Sequence, residues 1–353
     1  MKTDYLIVGQ GISGTLLSWQ LLQTGKKVLV IDDAQPITAT KVASGLINPV
    51  TGKKHVTTWL AETLIPFAHQ SYQQLGALLG PTFIRTHDLL NFHPTAEAAG
   101  LFEARESEDD TYLYHVNTPG AYTGQFHFSF GIGGVSLCYL VDTSLLLQSW
   151  RAHLVANDAL LEEHFSWDAC RIETDRVLYK NIEAAKIIFC AGAADLDNPY
   201  FTRLNFQLNK GEAIIAQIPG LSLDYIYKHG PLSLVPWHSS DAFWIGSTFD
   251  REYTDALPTP SFRRLVENTL HSWLKLPYTI LDHLAAIRPA TGGQKPFIGL
   301  HPVHPAVGIF NGMGSKGCSL APYFAHQFTR HLLDGTPLHP EADIQRFARI
   351  LSR

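Results

Sequence analysis

With 353 residues, 45% of them hydrophobic and only 17% charged, the chain can bury a core large enough for two lobes. The charged share lies below the ~25% usual for soluble domains, as expected with much buried surface, a sizeable apolar cavity or a partner interface. A net charge of −5 with no basic run longer than Lys53-Lys54 argues against nucleic acid as the main partner, and four scattered cysteines without a Cys-x-x-Cys leave a zinc site or redox dithiol unsupported.

The first element is the one that orients the rest. Residues 4–8 form a short apolar, β-branched stretch that predicts a buried strand. Gly9-Gln10-Gly11-Ile12-Ser13-Gly14 follows, then a helical stretch stopped by Gly25, then a second strand over 26–32 ending in Asp32, 18 positions after Gly14. Strand, glycine turn, helix, strand and acid make a dinucleotide fingerprint. Gly9 permits a sharp turn, Gly11 lets backbone approach a pyrophosphate, and Gly14 lets helix and strand pack closely. The helix N-terminus at Ile12 and Ser13 offers free N–H groups to phosphate, and Asp32 can accept from ribose hydroxyls. By itself this unit suits NAD and FAD equally.

The segment Ala43-Ser44-Gly45 through Gly52 is small, polar and glycine-containing, either a plain surface loop or a stretch whose amides meet a phosphate or ring edge. Residues 57–79 show a helical apolar stripe, 83–92 a strand and 95–107 a helix. Segments 112–116 and 124–130 alternate with period two and predict half-buried strands whose aromatics serve the core. A helix opens at Val141-Asp142, with Asp142 or Thr143 as its cap. Strands are expected at 176–179 and 186–192, the second a continuous apolar run meeting a ligand at Ala191-Gly192. Short strands cluster at 207–217, 225–229, 232–236 and 242–248; a helix covers 261–274. Strands at 287–291, 296–299 and 307–312 lead to a glycine turn, Gly314-Ser315-Lys316-Gly317, and a final helix through His331. There are no internal repeats. Thus α/β units stand at both ends and in the middle, with antiparallel strands inserted twice between them. No apolar run approaches the ~20 residues of a bilayer span, and no secretory leader precedes the first strand, so a cytoplasmic protein is expected.

The order and spacing of the motifs resemble the D-amino-acid oxidase superfamily of FAD-dependent amine oxidoreductases, in its glycine oxidase-like and sarcosine oxidase-like branch. The resemblance covers nearly the whole chain. It rests on the fingerprint with Asp32, Ala43-Ser44-Gly45 with Asn48-Pro49, Val141-Asp142, Lys210-Gly211-Glu212, Leu234-Val235-Pro236 with Gly246-Ser247-Thr248, Ile287-Arg288-Pro289-Ala290-Thr291 with Pro296-Phe297-Ile298-Gly299, and Asn311-Gly312 through Ala321-Pro322. It implies an α/β fold: a Rossmann-type, glutathione reductase-like FAD-binding domain at 1–55, 135–205 and 285–353, interrupted by an antiparallel-sheet α+β substrate domain at 56–134 and 206–284. FAD would lie extended, adenine at the fingerprint, with residues 40–49 passing the pyrophosphate and ring and Gly314 to Ser319 lining the ring's pyrimidine edge. Donors from such a glycine turn would stabilise charge on the reduced ring.

The implied activity is oxidation of the C–N bond of a small amino acid or secondary amine by hydride transfer to flavin N5, the imine then hydrolysing in water. Arg288 is the candidate catalytic residue. Its planar fork matches a substrate carboxylate, and a low-dielectric pocket strengthens the pair. No metal is expected, and His301-Pro302-Val303-His304 reads as a loop with satisfied imidazoles. Three departures from the family pattern stand out. Ser233 replaces the usual tyrosine before Leu-Val-Pro, with Tyr225, Tyr227 or Tyr253 as substitutes. No cysteine stands near Arg288, so FAD is expected to be non-covalent. Trp244 stands where sarcosine oxidase-like members carry an oxygen-activating lysine, which leaves room for a dehydrogenase and the acceptor open, oxygen included. Lys53, Lys54 and Lys316 are other cations near the ring, more simply read as solvated. Two rival functions remain at this stage: a flavin oxidase of carboxymethylaminomethyl uridine in tRNA, from the Asn48-to-Gly52 loop, and a non-catalytic FAD-binding partner subunit. A homo-oligomer is compatible with the low charge.

Overall fold

A computed structural model describes residues 1–109, 111–237 and 241–353. The chain opens with β1 (Lys2–Val8), α1 (Ile12–Gln23) and β2 (Val28–Ile31), as the fingerprint predicts. A short helix, α2 (Ala39–Val42), is capped by Thr38, whose hydroxyl accepts from the Lys41 amide. The helix expected from residue 57 starts later, as α3 (Ala61–Leu79), after Leu60 in the left-handed region. Trp59 lies outside it and stacks on Phe324 at 5.6 Å.

β3 (Ile84–Phe92) and α4 (Ala96–Glu108) stand where expected. The strand predicted over 124–130 is absent. That stretch is turn-rich and pairs only at Phe126 with Leu274. Its aromatic alternation serves packing instead: the Phe126 ring lies 4.6 Å from both Phe92 and Trp273. In its place runs β4 (Ile132–Val141), which Gly133-Gly134 hides from a propensity reading. Both glycines face rings: a Cβ at Gly133 would fall 2.4 Å from Phe102, and one at Gly134 2.2 Å from Tyr114.

α5 (Thr143–Ala156) is capped by Asp142, whose carboxylate accepts from Leu145 N at 2.9 Å. There follow β5 (Ile182–Phe189), β6 (Asn209–Gln217), β7 (Tyr225–His229), β8 (Leu232–Pro236), β9 (Ala242–Gly246), α6 (Pro260–Trp273), β10 (Thr279–Arg288), β11 (Phe297–Leu300), β12 (Val307–Asn311) and α7 (Gly317–Asp334).

Two sheets result. In the first, β2, β1, β5 and β12 are parallel neighbours, with β11 antiparallel to β12 and short strands at both edges. α1, α3 and α7 cover one face through Leu16, Trp19, Tyr72 and Phe324; Phe189, Phe201 and Ile309 fill the other. The second sheet runs β10-β6-β9-β8-β7-β3-β4 and ends on Leu46–Ile47. Its ladder is antiparallel except between β7 and β3. α6 packs on one face around Phe92, Phe126 and Trp273. The expected lobe boundaries at 134/135 and 284/285 both fall inside continuous strands, β4 and β10, because ladder pairing carries each strand on to Val141 and Arg288. Arg288 therefore ends the edge strand of the antiparallel sheet, opposite Asn209 of β6.

Candidate active site

A cleft of about 780 Å³ runs from the carboxyl ends of β1 and β5 to the Arg288 end of the antiparallel sheet. Ligands of open α/β sheets bind at that end of the strands. Its first wall is the fingerprint: Gly9, Gly11, Ile12 and Ser13, with Asp32 beside them. Gly9 has φ +96°, and a Cβ there would lie 2.7 Å from Cys190 O. Gly14 does not line the cleft. It packs against Gly9, where a Cβ would be 1.8 Å from the Gly9 oxygen, so its part is to bring helix and strand together.

The amides of Gly11, Ser13 and Gly14 carry no hydrogen bond to any described residue, no side chain caps α1, and its first turn has no acid. Only Ile12 N is taken, by Thr40 Oγ1 at 3.1 Å. This is a ready anion cradle. The other end of the cleft repeats the arrangement. The amides of Ser315, Gly317 and Cys318, at the uncapped start of α7, also have no partner among the described residues. Gly314, Ser315 and Gly317 line the cleft there; Ala43, Ser44, Gly45, Ala191 and Gly192 line it between. Two donor-rich turns joined by one elongated cleft suit an extended dinucleotide such as FAD.

Lys316 departs from expectation. It is half-buried and does not line the cleft; partial burial draws its ammonium down to about 8, and no described residue hydrogen-bonds it. Lys53 and Lys54 are exposed, as expected. No lysine is among the described residues lining the cleft.

Arg288 faces the cleft with its charge uncompensated. Nη1 donates to Asn209 Oδ1 (3.0 Å) and Thr248 O (2.9 Å), and Nη2 to Ser247 Oγ (3.0 Å). All three acceptors are neutral, and no carboxylate pairs with it among the described residues. Nε–H and one Nη2–H remain without a partner there. Burial lowers its pKa from the ordinary value, with no opposing anion. Gly211 makes room for it: a Cβ would lie 2.0 Å from Nη2. Sequence reasoning gave Asn209, Ser247 and Thr248 no role at Arg288, although Ser247 and Thr248 stand in the Gly246-Ser247-Thr248 motif. They lie about 40 to 80 positions away, and only the sheet register brings them to Arg288.

Trp244 also lines the cleft, its indole N–H donating to Val42 O at 2.9 Å, which ties β9 to the end of α2. None of Tyr225, Tyr227 and Tyr253 lines the cleft. Tyr227 is buried and donates to Ser222 O at 3.0 Å. Ser233 pairs with Gly246 in the ladder.

Two further carboxylates stand nearby, Asp195 absent from the sequence reading and Glu212 present there only as part of the Lys210-Gly211-Glu212 motif. Asp195 is fully buried and lines the cleft; it accepts from Ala191 N (3.1 Å) and Asn311 Nδ2 (2.7 Å). Burial pushes its carboxyl up to about 6. Glu212 is 3% exposed and accepts from Thr259 N (2.6 Å), Thr259 Oγ1 (2.9 Å) and His283 Nε2 (3.0 Å), with Lys210 Nζ 3.7 Å away. It anchors the segment that leads from Ser247 into α6. His301 lies elsewhere, its Nδ1 accepting from the Val303 and His304 amides at 3.2 Å. Among the described residues no group of three or more side chains could hold a metal, and no helix is long and apolar enough to cross a membrane.

Residues 4–331 match the family model described as "DAO: FAD dependent oxidoreductase". Among solved structures, glycine oxidase from Geobacillus kaustophilus superposes with a TM-score of 0.79 at 18% identity, covering 98% of each chain. Iminodiacetate oxidase from Chelativorans sp. BNC1 gives 0.76 at 18%, again over 98% of each. L-proline dehydrogenase from P. horikoshii gives 0.76 at 17%, over 99% of this chain and 98% of that one. The uncharacterized oxidoreductase YurR of Bacillus subtilis is 38% identical over 56 residues, 16% of this chain and 15% of that protein's length.

Proposed function

The chain belongs to the DAO family of FAD-dependent oxidoreductases, and from that premise we propose that it oxidises the C–N bond of a small amino acid or secondary amine that carries a carboxylate. The observation that carries this reading is Arg288: a partly buried guanidinium, fixed by three neutral acceptors and left with unused donors, in the cleft. A desolvated cation without a counterion is completed by an anionic ligand, and a carboxylate fits its donors best.

FAD, held non-covalently in this reading, supplies the two-electron acceptor that takes the hydride from the carbon bearing nitrogen. The free amides at Gly11 and Ser13 would hold its pyrophosphate, and those at Ser315, Gly317 and Cys318 its ring edge. The remaining work falls to the chain. Arg288 fixes the substrate by its carboxylate and so orients the C–H bond, the effect that converts binding into rate. Trp244, pinned by Val42, walls the cleft. The substrate gives up a hydride and a proton as its C–N bond becomes C=N, and water then cleaves the imine to a carbonyl compound and an amine or ammonia. No side-chain base is required for a substrate bound as the neutral amine. Anaerobic mixing of the purified yellow protein with glycine, sarcosine, proline, iminodiacetate and D- and L-amino acids tests the reading. Flavin bleaching by at least one is expected; bleaching by none would sink it. Readmitting oxygen to the bleached enzyme then separates an oxidase from a dehydrogenase.

A further inference from the structure

We infer that Arg151 is a positioning residue for the cofactor's adenosine ribose: it acts through Asp32, which it locks in the one orientation that leaves a single carboxylate oxygen to the ligand. Arg151 sits on α5, 119 positions from Asp32, and does not itself line the cleft.

Its guanidinium gathers three partners. Nη1 donates to Asp32 Oδ1 (2.8 Å) and to Gln10 Oε1 (3.1 Å), Nη2 donates to the Asp32 carbonyl (3.3 Å), and Nε donates to Glu162 Oε1 (3.1 Å). Asp32 Oδ1 also accepts from Ala34 N at 2.9 Å, so that oxygen is saturated. Among the described residues Asp32 Oδ2 accepts only from Gln10 N, at 2.8 Å, and keeps one acceptor direction free of them.

Gln10 is the residue between the first two glycines of the fingerprint. Its side chain is buried and donates to Leu147 O at 2.9 Å. Leu147 and Arg151 are four apart on α5 and so share a face. One helix face thus grips both the glycine turn and the acid, which fixes their mutual geometry before any ligand arrives. Preorganisation of this kind raises affinity by reducing the ordering needed on binding. With both oxygens free, an acid at this position could meet two vicinal hydroxyls. Here the arrangement allows one.

The inference takes FAD as the cofactor and does not depend on the substrate, so its test reads binding and not turnover. FAD is titrated into apoprotein by fluorescence for wild type, Arg151→Met, Asp32→Asn and the double variant, at 10 °C, with apoprotein melting recorded for each. Arg151→Met is expected to raise the FAD Kd about tenfold, the loss of one well-placed charge-assisted contact. In the Asp32→Asn background the same change should cost less than about twofold, because its route of action is gone. Arg151→Lys, which keeps the charge but not the fork, should fall between. A Kd within twofold of wild type for Arg151→Met, or penalties that simply multiply in the double variant, would overturn the proposal. Should Arg151→Met melt too low to titrate, Arg151→Lys with and without Asp32→Asn gives the same decision.

Discussion

Replacing Arg288 by methionine keeps the length of the aliphatic stem and removes every donor. On the protein side, Asn209 Oδ1, Ser247 Oγ and Thr248 O lose their partner, and Asn209 already has a buried Nδ2 without one. On the ligand side, two charge-assisted hydrogen bonds disappear. At about 1.5–3 kcal/mol each, and allowing for imperfect geometry, the substrate loses about 3–5 kcal/mol. That corresponds to a fall of roughly 10² to several thousandfold in kcat/KM. Arg288→Lys retains a charge but cannot keep the framework bonds and a carboxylate together, so it should recover only part of the loss. The assay is anaerobic stopped-flow reduction of the bound flavin against substrate concentration, with the oxidised spectrum confirming that FAD is loaded equally. An Arg288→Met enzyme within about threefold of wild type would refute the assignment of the carboxylate to this residue.

Three further outcomes follow from the same geometry. Gly211→Ala places a Cβ against the Arg288 guanidinium and should raise KM on the order of tenfold, with FAD binding unchanged, as read by titration of apoprotein. Glu212→Gln leaves Lys210, 3% exposed, with only the exposed Asp255 carboxylate at 3.7 Å and should destabilise the protein by about 1–3 kcal/mol, visible in urea unfolding. Asp195 titrates at about 6 in the fold against an ordinary 3.8, a carboxyl raised by burial. Its stabilising effect is complete below pH 4 and lost as pH rises through 6, a decline of about 3 kcal/mol. Asp195→Asn stays neutral throughout, so relative to wild type it should gain that amount between pH 4 and 7 in apoprotein unfolding; a pH-independent difference would contradict the assigned pKa.

What could be read in advance was what local chain grammar encodes. Gly9, Gly11 and Gly14 with Asp32 announce a turn whose demands are met within about two dozen neighbouring positions. Arg288 was reached only through the likeness of its Arg-Pro context to a family, since a lone arginine has no local signature. The residues that hold it, Asn209, Ser247 and Thr248, are assembled by ladder register and leave no trace in spacing. The same holds for Arg151 on Asp32 and for Asn311 on Asp195. β4 was missed because Gly133-Gly134 reads as a break; the rings that require two glycines there, Phe102 and Tyr114, belong to other elements. The strand expected at 124–130 failed for the opposite reason. Its aromatic alternation is satisfied by stacking on Phe92 and Trp273 rather than by a neighbouring strand. Lys316 reads as an ordinary surface lysine, and only the packing at the start of α7 shows it half-buried.

The central claim is that the cleft takes an amine by its carboxylate. The most direct test compares, without oxygen, an amino acid that bleaches the flavin with the amine that differs from it only by lacking the carboxylate, such as sarcosine with dimethylamine. The account predicts reduction at least about 100-fold faster for the carboxylate-bearing partner, a preference abolished in Arg288→Met. Equal rates for the pair, or bleaching by glycerol 3-phosphate and by no amine, would contradict it.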